Sequence, residues 1–396
     1  MDLRPHTDEV IATTAANPVP ESTDAARSVT EHATGDRPLR ILHLIIALGE
    51  SNGQYNEHCL PLMHVRDLSV CTYFKPKLSW PAEIKVFPGD DTLRGFFRAL
   101  GAALKERDYD IIHAHAPETG ALVLFALTLR RGRRRFWRSL IYTVQDSSYD
   151  YDVRDKVLML LTLAFFRRVV FCGHAAYESY PALWKRLAGT RSRVVQNAAD
   201  LDRVESAIGG EERNQDESTF KVVSVGRLEK VKDPLSLLAA FRVIRDEGSR
   251  LTYIGGGSLE TQLAQEIRAS WLQDRVQLTG LIPRDEVFAR CADADLFVST
   301  SRGEGLPVAV LEAMATGCPV VLSDIPPHRE LAEGADFIPF VRPGDTDAFA
   351  REIDRFRSMS TEERAAIGLK GRDLVRARFG LATMHAGLEN VYREIL

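Results

Sequence analysis

FKVVSVG (220–226), DPLSLLAAFRVIRDEG (233–248) and LTYIGGG (251–257) follow one another as an apolar strand, a helix and a second apolar strand. Short apolar strands separated by helix-length segments belong to a parallel sheet with helices on both faces. The alternation continues through a helix at 259–269, then RVQLTG (275–280), DEVFARC (285–291), DLFVSTS (295–301), the helix LPVAVLEAMATG (306–317) and the buried strand PVVLSD (319–324). Residues 346–395 are mostly helical in pattern. The same rhythm runs upstream, from LRILHLIIAL (39–48) and LSVCTYF (68–74) through a helix at 92–107 to YDIIHAH (109–115). The helix ETGALVLFALTL (118–129), the strand LIYTVQD (140–146), an apolar helix over 153–168 and strands at 169–171 and 193–197 complete it. The polar stretch ESAIGGEERNQDEST (205–219) reads as a linker or surface segment between two βα halves.

Length agrees with this division. The chain has 396 residues, which predicts two or three domains, and 45% hydrophobic residues supply the cores. Residues 1–37 are rich in Thr, Ala, Asp, Glu and Pro without periodicity and read as a disordered tail. The expected boundaries are 1–37 for the tail, 38–200 and 201–364 for two Rossmann-like domains, and 365–396 for helices crossing back to the first domain. A net charge of −4 excludes a generally basic nucleic-acid binder. The five cysteines (Cys59, Cys71, Cys172, Cys291, Cys318) show neither CxxC nor Cys/His ligand spacing, so no disulfide scaffold or structural zinc is expected. The start, MDLRPHTDEV, has no apolar signal core, and no stretch reaches 18 consecutive apolar residues. A cytoplasmic protein is expected.

SRGEGLPVAVLEAMATGCPVV (301–321) carries the sharpest constellation. Glu304 follows a strand between Gly303 and Gly305, and Glu312 lies about two turns into the next helix. The helix start offers backbone N–H groups near Gly305, Leu306 and Val308, which suit a phosphate. One carboxylate can then meet sugar hydroxyls and the other ribose hydroxyls; the plain alternative is a loop carboxylate and a solvated helix glutamate. In VGRLEKVKD (225–233), Arg227 and Lys232 follow the strand turn at Gly226, where two cations can balance a diphosphate and the charge of a leaving phosphate. Surface cations at a helix start are the alternative. Gly255 and Gly257 permit close backbone approach to a ligand but form neither a dinucleotide fingerprint nor a P-loop.

VGRLEKVKD, YIGGGSLE, GEGLPVAVLEAMATGCPVV and RPGDTDAFA occur in the order seen in the GT-B family of retaining nucleotide-sugar glycosyltransferases, of the family 4 type, which the second half resembles. The first half resembles that family's acceptor domain more loosely, through LRILHL, DIIHAHAPETG and VVQNAADLD. The resemblance implies an α/β fold of GT-B architecture, two Rossmann-like βαβ domains facing each other across a deep crevice. It implies a retaining hexosyltransferase that moves a sugar from a nucleoside-diphosphate sugar to a hydroxyl, with no metal and no cofactor besides the donor substrate. UDP-sugars stand ahead of GDP-mannose. Arg227 and Lys232 would contact the donor diphosphate, Glu304 the transferred sugar and Glu312 the ribose. Gly305 and Leu306 would supply N–H groups, with Gly226, Gly255 and Gly257 lining the donor.

Two departures stand in the first half. The loop GESNGQYNEH (49–58) lacks the family's glycine pair, leaving Gly53 for the donor phosphates and Asn52 for added polar reach. Gln145 stands where many members carry a histidine near the reaction centre, and it cannot become a cation. Asp146 and His115 are the neighbours that could replace part of that function. His113 and His115 are expected on opposite faces, His115 toward the crevice. A metal reading is poor without a third ligand nearby in sequence. His174 is either an acceptor contact or a loop histidine. Asn197 and Asp200, with Ala198 between them, resemble the family's hinge and read as structural.

RRGRRRFWR (130–138) contains six arginines with Phe136 and Trp137. It is read as a docking surface for anionic membrane on the inner face of the cell membrane, pointing to a lipid-linked or cell-envelope glycan acceptor, against a solvated arginine loop. VLMLLTLAFF (157–166) is apolar almost all round and reads as a buried helix. Other GT-B chemistries, epimerase or phosphorylase-like, and a catalytically impaired nucleotide-sugar binding protein are the competing functions.

Overall fold

The computed structural model describes residues 37–49, 52–128, 134–148, 151, 153–209 and 219–396. The tail expected over 1–37 lies outside them apart from Arg37, as does most of the 205–219 linker. Two compact units divide the chain. The first runs up to Ala198 and includes Leu381–Leu396; the second is continuous from Ala199 to Gly380. The break at 198/199 falls inside the segment Asn197–Asp200. The chain returns to the first unit at Leu381, later than the expected 365, because the Thr361–Arg378 helix packs on the Val308–Ala315 helix of the second unit.

The first unit is built on a seven-stranded, wholly parallel sheet in the order β3-β2-β1-β4-β5-β6-β7. Its strands are β1 (Arg40–Ile45), β2 (Asp67–Thr72), β3 (Lys85–Phe87), β4 (Ile111–Ala114), β5 (Leu140–Val144), β6 (Arg168–Phe171) and β7 (Ser192–Val194). The central strands are buried on both faces, which accounts for unbroken apolar runs such as RILHLI in β1. Ile41, Val70, Ile111, Ile141 and Val170 form one core with Leu381, Met384, Leu388, Val391 and Tyr392. The last five recur at helical spacing along one face of the Leu381–Arg393 helix, so the end of the chain closes this core.

The second unit repeats the plan with six parallel strands in the order β10-β9-β8-β11-β12-β13. They are β8 (Phe220–Val225), β9 (Ser249–Ile254), β10 (Val276–Leu278), β11 (Leu296–Ser299), β12 (Val320–Ser323) and β13 (Phe340–Val341). Leu237, Leu238 and Phe241 of the Pro234–Arg242 helix and Phe349, Ile353 and Phe356 of the Thr346–Arg357 helix share a core with Val222, Leu251, Leu296 and Val298. Each unit is therefore an α/β Rossmann-like domain. In each, the strand order reverses beside the first strand, at β1/β4 and at β8/β11. Ligands of such sheets bind at the carboxyl ends of the strands flanking that switch.

One helix departs from its sequence reading. Val153–Phe165 is not buried all round: Met159, Thr162 and Leu163 face the core, while Val153, Val157, Leu161 and Phe165 are exposed. A composition apolar on every face does not say which side the neighbours cover. Among the described residues, no helix is long and apolar enough to cross a membrane.

Candidate functional site

β8 and β11 are neighbours at the switch point of the second sheet, and the loops leaving them carry Lys232 and Glu304, each singled out separately in the sequence. Lys232 Nζ donates to Glu304 Oε2, and Ser301 Oγ donates to Glu304 Oε1 at 2.7 Å. The two loops are stitched together. The Arg302 N–H donates to the Val231 carbonyl at 2.7 Å, Thr300 Oγ1 to that of Asp233 at 2.8 Å, and Arg302 pairs with Asp233 at 2.6 Å. Asp233 adopts φ 49°, a left-handed conformation that Asp tolerates, and this turns the chain into the Pro234–Arg242 helix. Lys232 is thereby held over Glu304 rather than left on a free loop.

Glu304 is buried. Burial alone pushes its carboxyl up, but Lys232, His328 and the Ser301 hydrogen bond together outweigh it and hold the group below its ordinary value. The carboxylate stays ionised at neutral pH. His328, in the Pro326–Leu331 helix, is fully buried and pushed down by that burial, with Glu304 pulling the other way. Its Nδ1 lies 2.8 Å from the Ser323 carbonyl, which can only accept, so Nδ1 carries the proton. Its Nε2 is then a bare acceptor with no hydrogen-bond partner among the described residues. Arg227 is exposed at the start of the same loop as Lys232.

Gly226 has φ 154° and open space where a Cβ would stand, so a ligand can approach the backbone there. Gly255 and Gly257 serve a different purpose. A Cβ on Gly255 would lie 2.2 Å from the Gly226 carbonyl oxygen, and one on Gly257 2.6 Å from that of Leu228. They let the β9 loop pack on the β8 loop, so their close approach is to protein backbone. Gly305 and Leu306 are buried just ahead of the Val308–Ala315 helix.

Glu312 lies inside that helix and is buried, not solvated. Its Oε1 accepts from Arg284 Nε at 2.8 Å and from Arg284 Nη2. Sequence reasoning missed Arg284, and a signal was available. Arg284 is the first residue of the Arg284–Asp293 helix, where a cation opposes the helix dipole and is retained only for a specific partner. Asp200, read as structural, caps the Leu201–Ile208 helix through the Arg203 N–H at 3.1 Å.

In the first unit, adjacent strands β1, β4 and β5 deliver Asn52 and Gly53, His115, and Gln145 and Asp146 beyond their carboxyl ends. The Asn52 side chain is used as a helix cap, accepting from the Tyr55 N–H at 2.8 Å. Gln145 and Asp146 are half-buried, and His174 is exposed at the start of the His174–Glu178 helix.

His115 is corrected. It shares a face with His113, because side chains two apart on a strand point the same way, and the two rings stack 4.2 Å apart. His43 of β1, in register with His113, joins them, with its Nδ1 2.9 Å from His115 Nε2. His113 is held on both sides, by Tyr392 Oη at 3.0 Å and Thr143 Oγ1 at 2.6 Å. Donor nitrogens of His43, His113 and His115 lie within 4.8 Å of one another, so a third histidine does come from afar in sequence. Both His113 nitrogens are nevertheless spent on hydroxyls, and the cluster is a hydrogen-bonded, buried core.

Of the arginine run 130–138, residues 130–133 lie outside the described residues. Phe136 is buried, which removes it from any surface role, while Trp137 is half-buried and Arg138 exposed. All five cysteines are buried free thiols.

Two parallel Rossmann-like sheets, with a half-buried lysine paired to a buried glutamate and a buried second glutamate on the second of them, define the class. The chain has the GT-B fold and is related to the GT4-family nucleotide-sugar glycosyltransferases. Residues 210–374 match the glycosyl transferases group 1 family. The chain is 32% identical over 184 residues to the putative colanic acid biosynthesis glycosyltransferase WcaL of Escherichia coli K12, a match spanning 44% of this chain and only 45% of that relative. It is 26% identical over 315 residues to UDP-Gal:alpha-D-GlcNAc-diphosphoundecaprenol alpha-1,3-galactosyltransferase of Escherichia coli, covering 74% of this chain and 77% of that protein. The fold is also that of Anabaena HepE, solved in complex with UDP and glucose, with a TM-score of 0.71 at 20% identity over 90% of this chain and 100% of that one.

Proposed function

We propose that the chain is a retaining hexosyltransferase that moves a sugar from a nucleoside-diphosphate sugar to a hydroxyl of a lipid-linked or cell-envelope glycan. The observation that carries this reading is the pairing of half-buried Lys232 with buried Glu304 at the switch point of the second sheet. Lys232 and Arg227 neutralise the leaving diphosphate, and Gly305 and Leu306 offer N–H groups to it. Glu304, kept ionised, accepts from hydroxyls of the transferred sugar, and Glu312, steadied by Arg284, accepts from the ribose. Gly226 gives the diphosphate close access to the backbone. We assign Gly53 of the first unit to the donor phosphates, and Asn52, Gln145, Asp146 and His174 to the sugar or acceptor.

In the reaction the bond from the anomeric carbon to the phosphate oxygen breaks. The acceptor oxygen forms the new bond on the same face, and its proton passes to the leaving diphosphate. A UDP-sugar is favoured by the kinship with a UDP-galactose enzyme and by the fold shared with HepE. The diphosphoundecaprenol in that relative's name supports a polyprenyl-diphosphate acceptor and a peripheral position on the membrane's inner face.

The test is a panel of UDP- and GDP-sugars scored by nucleotide release, with a polyprenyl-diphosphate sugar as acceptor and the product anomer read by NMR. Release from at least one donor, reduced 100-fold or more in Glu304→Gln, is expected. Binding without release from any donor would instead leave a nucleotide-sugar binding protein, and an inverted anomer would overturn retention.

A further inference from the structure

The exposed side of the Val153–Phe165 helix is apolar along its whole length. Val153 (80% exposed), Val157 (54%), Leu161 (42%) and Phe165 (57%) repeat every four residues and so form one stripe. The helix packs against the Ala182–Ala188 helix, which adds Leu183 (74%) and Leu187 at the same spacing. Arg191 fastens this region by donating to the carbonyls of Leu163, Ala164, Phe166 and Leu187. Trp137 stands edge-on to Phe165 with ring centroids 6.5 Å apart. Six exposed large apolar side chains on two packed helices of a folded domain mark an interaction surface.

Charge decides what covers it. Residues 153–191 carry seven basic residues (Arg154, Lys156, Arg167, Arg168, Lys185, Arg186, Arg191) against two acidic ones (Asp155, Glu178), in a chain whose net charge is −4. Arg167 and Arg186 are exposed, two residues after Phe165 and one before Leu187 in the chain. Large apolar side chains rimmed by cations suit an anionic bilayer: the apolar groups enter the acyl boundary and the cations meet the headgroups.

We infer that the face made by Val153, Val157, Leu161, Phe165, Leu183 and Leu187 docks the first unit onto an anionic lipid surface. This rests on the proposed lipid-linked acceptor for its purpose and moves the lipid contact from the arginine run to two packed helices. Affinity comes from two sources, insertion of the stripe and attraction of its basic rim, so each can be removed separately.

The experiment is sedimentation of the full chain with vesicles of phosphatidylcholine alone or mixed equally with phosphatidylglycerol. Binding is expected to the mixed vesicles and to be at least about tenfold weaker to phosphatidylcholine. Val157→Asp with Leu183→Asp, both at exposed positions, should lower affinity for the mixed vesicles by about tenfold or more. Arg167→Ala with Arg186→Ala should weaken it and flatten its dependence on salt. Near-UV circular dichroism checks that the variants fold, and nucleotide release without acceptor should persist in them, so a failed donor reading and a failed docking face are told apart. Absence of vesicle binding, or wild-type binding by the Val157→Asp/Leu183→Asp chain, overturns the inference. So does a dimer in analytical ultracentrifugation that those two substitutions dissolve, since the face would then serve a second copy.

Discussion

Acid should unfold the first unit well before the second. In the folded first unit, burial holds His43 neutral down to about 3 and His385 down to about 4. Burial, and then mutual repulsion, pushes His58, His113 and His115 well below their ordinary value of 6.5. Unfolding returns all five to water. Below 6.5 the unfolded chain binds protons that the folded unit refuses. The histidines therefore leave stability intact above that value and erode it as the pH falls toward the folded values. At pH 5 His43 and His385 each favour the unfolded state by about 2 kcal/mol, and His58, His113 and His115 act in the same direction. The first two alone are a large share of the ~5–15 kcal/mol total stability of an ordinary domain. Among the described residues of the second unit, His328 is the buried histidine shifted the same way. Three of the four tryptophans, Trp80, Trp137 and Trp184, lie in the first unit, and Trp271 of the second is already exposed in the fold, so the change in tryptophan fluorescence during urea unfolding mainly follows the first unit. The urea midpoint should drop steeply between about pH 7 and pH 5, and His115→Asn should remove about one proton from the slope, or about 1.4 kcal/mol per pH unit. A midpoint that stays level across that range refutes the argument, because the histidines would then be charged in the fold or reached by water.

Arg284→Met should destabilise the second unit by about 3 kcal/mol, since it leaves Glu312 buried and unpaired, whereas Arg284→Met with Glu312→Leu should recover most of that loss in thermal unfolding. Glu312→Gln should raise the donor KM with little change in kcat, and an unchanged KM would remove its ribose role. Lys232→Ala should lower kcat by about 100-fold or more, and normal turnover would remove the diphosphate assignment. Gly255→Ala, with its Cβ forced against the Gly226 carbonyl, should lower the stability of the second unit by about 2 kcal/mol or more, read as a reduced Tm.

The parallel architecture was legible because a strand buried on both faces leaves a continuous apolar run, as in RILHLI and VVLS, and helix-length segments intervene. Glu304 and Lys232 were legible as charged groups beside glycine turns at strand ends. Their pairing with each other across 72 positions was not anticipated, because local spacing does not encode it. Arg284 was hidden for the same reason: its partner is 28 residues away, and only its unfavourable place at a helix start hinted at it. The histidine cluster was misread through the orientation of His113 and His115, and His43 joins them by strand register, which no single segment states. The outward stripe of Val153–Phe165 was obscured because an apolar helix can be covered on any side. The closing role of Leu381–Arg393 depended on knowing where the chain turns back.

That last helix has a consequence for biosynthesis. The second unit occupies one unbroken stretch, so the ribosome delivers all of it before the first unit is complete. The opening strands emerge earlier, yet they wait without Met384, Leu388, Val391 and Tyr392 until the Leu381–Arg393 helix clears the exit tunnel. During that interval the apolar surface around Ile41 and Ile111 is an open flank that a chaperone must shield or a neighbouring nascent chain can capture. The core begun first thus receives its last wall from a single helix of 13 residues, made after the whole of the second unit.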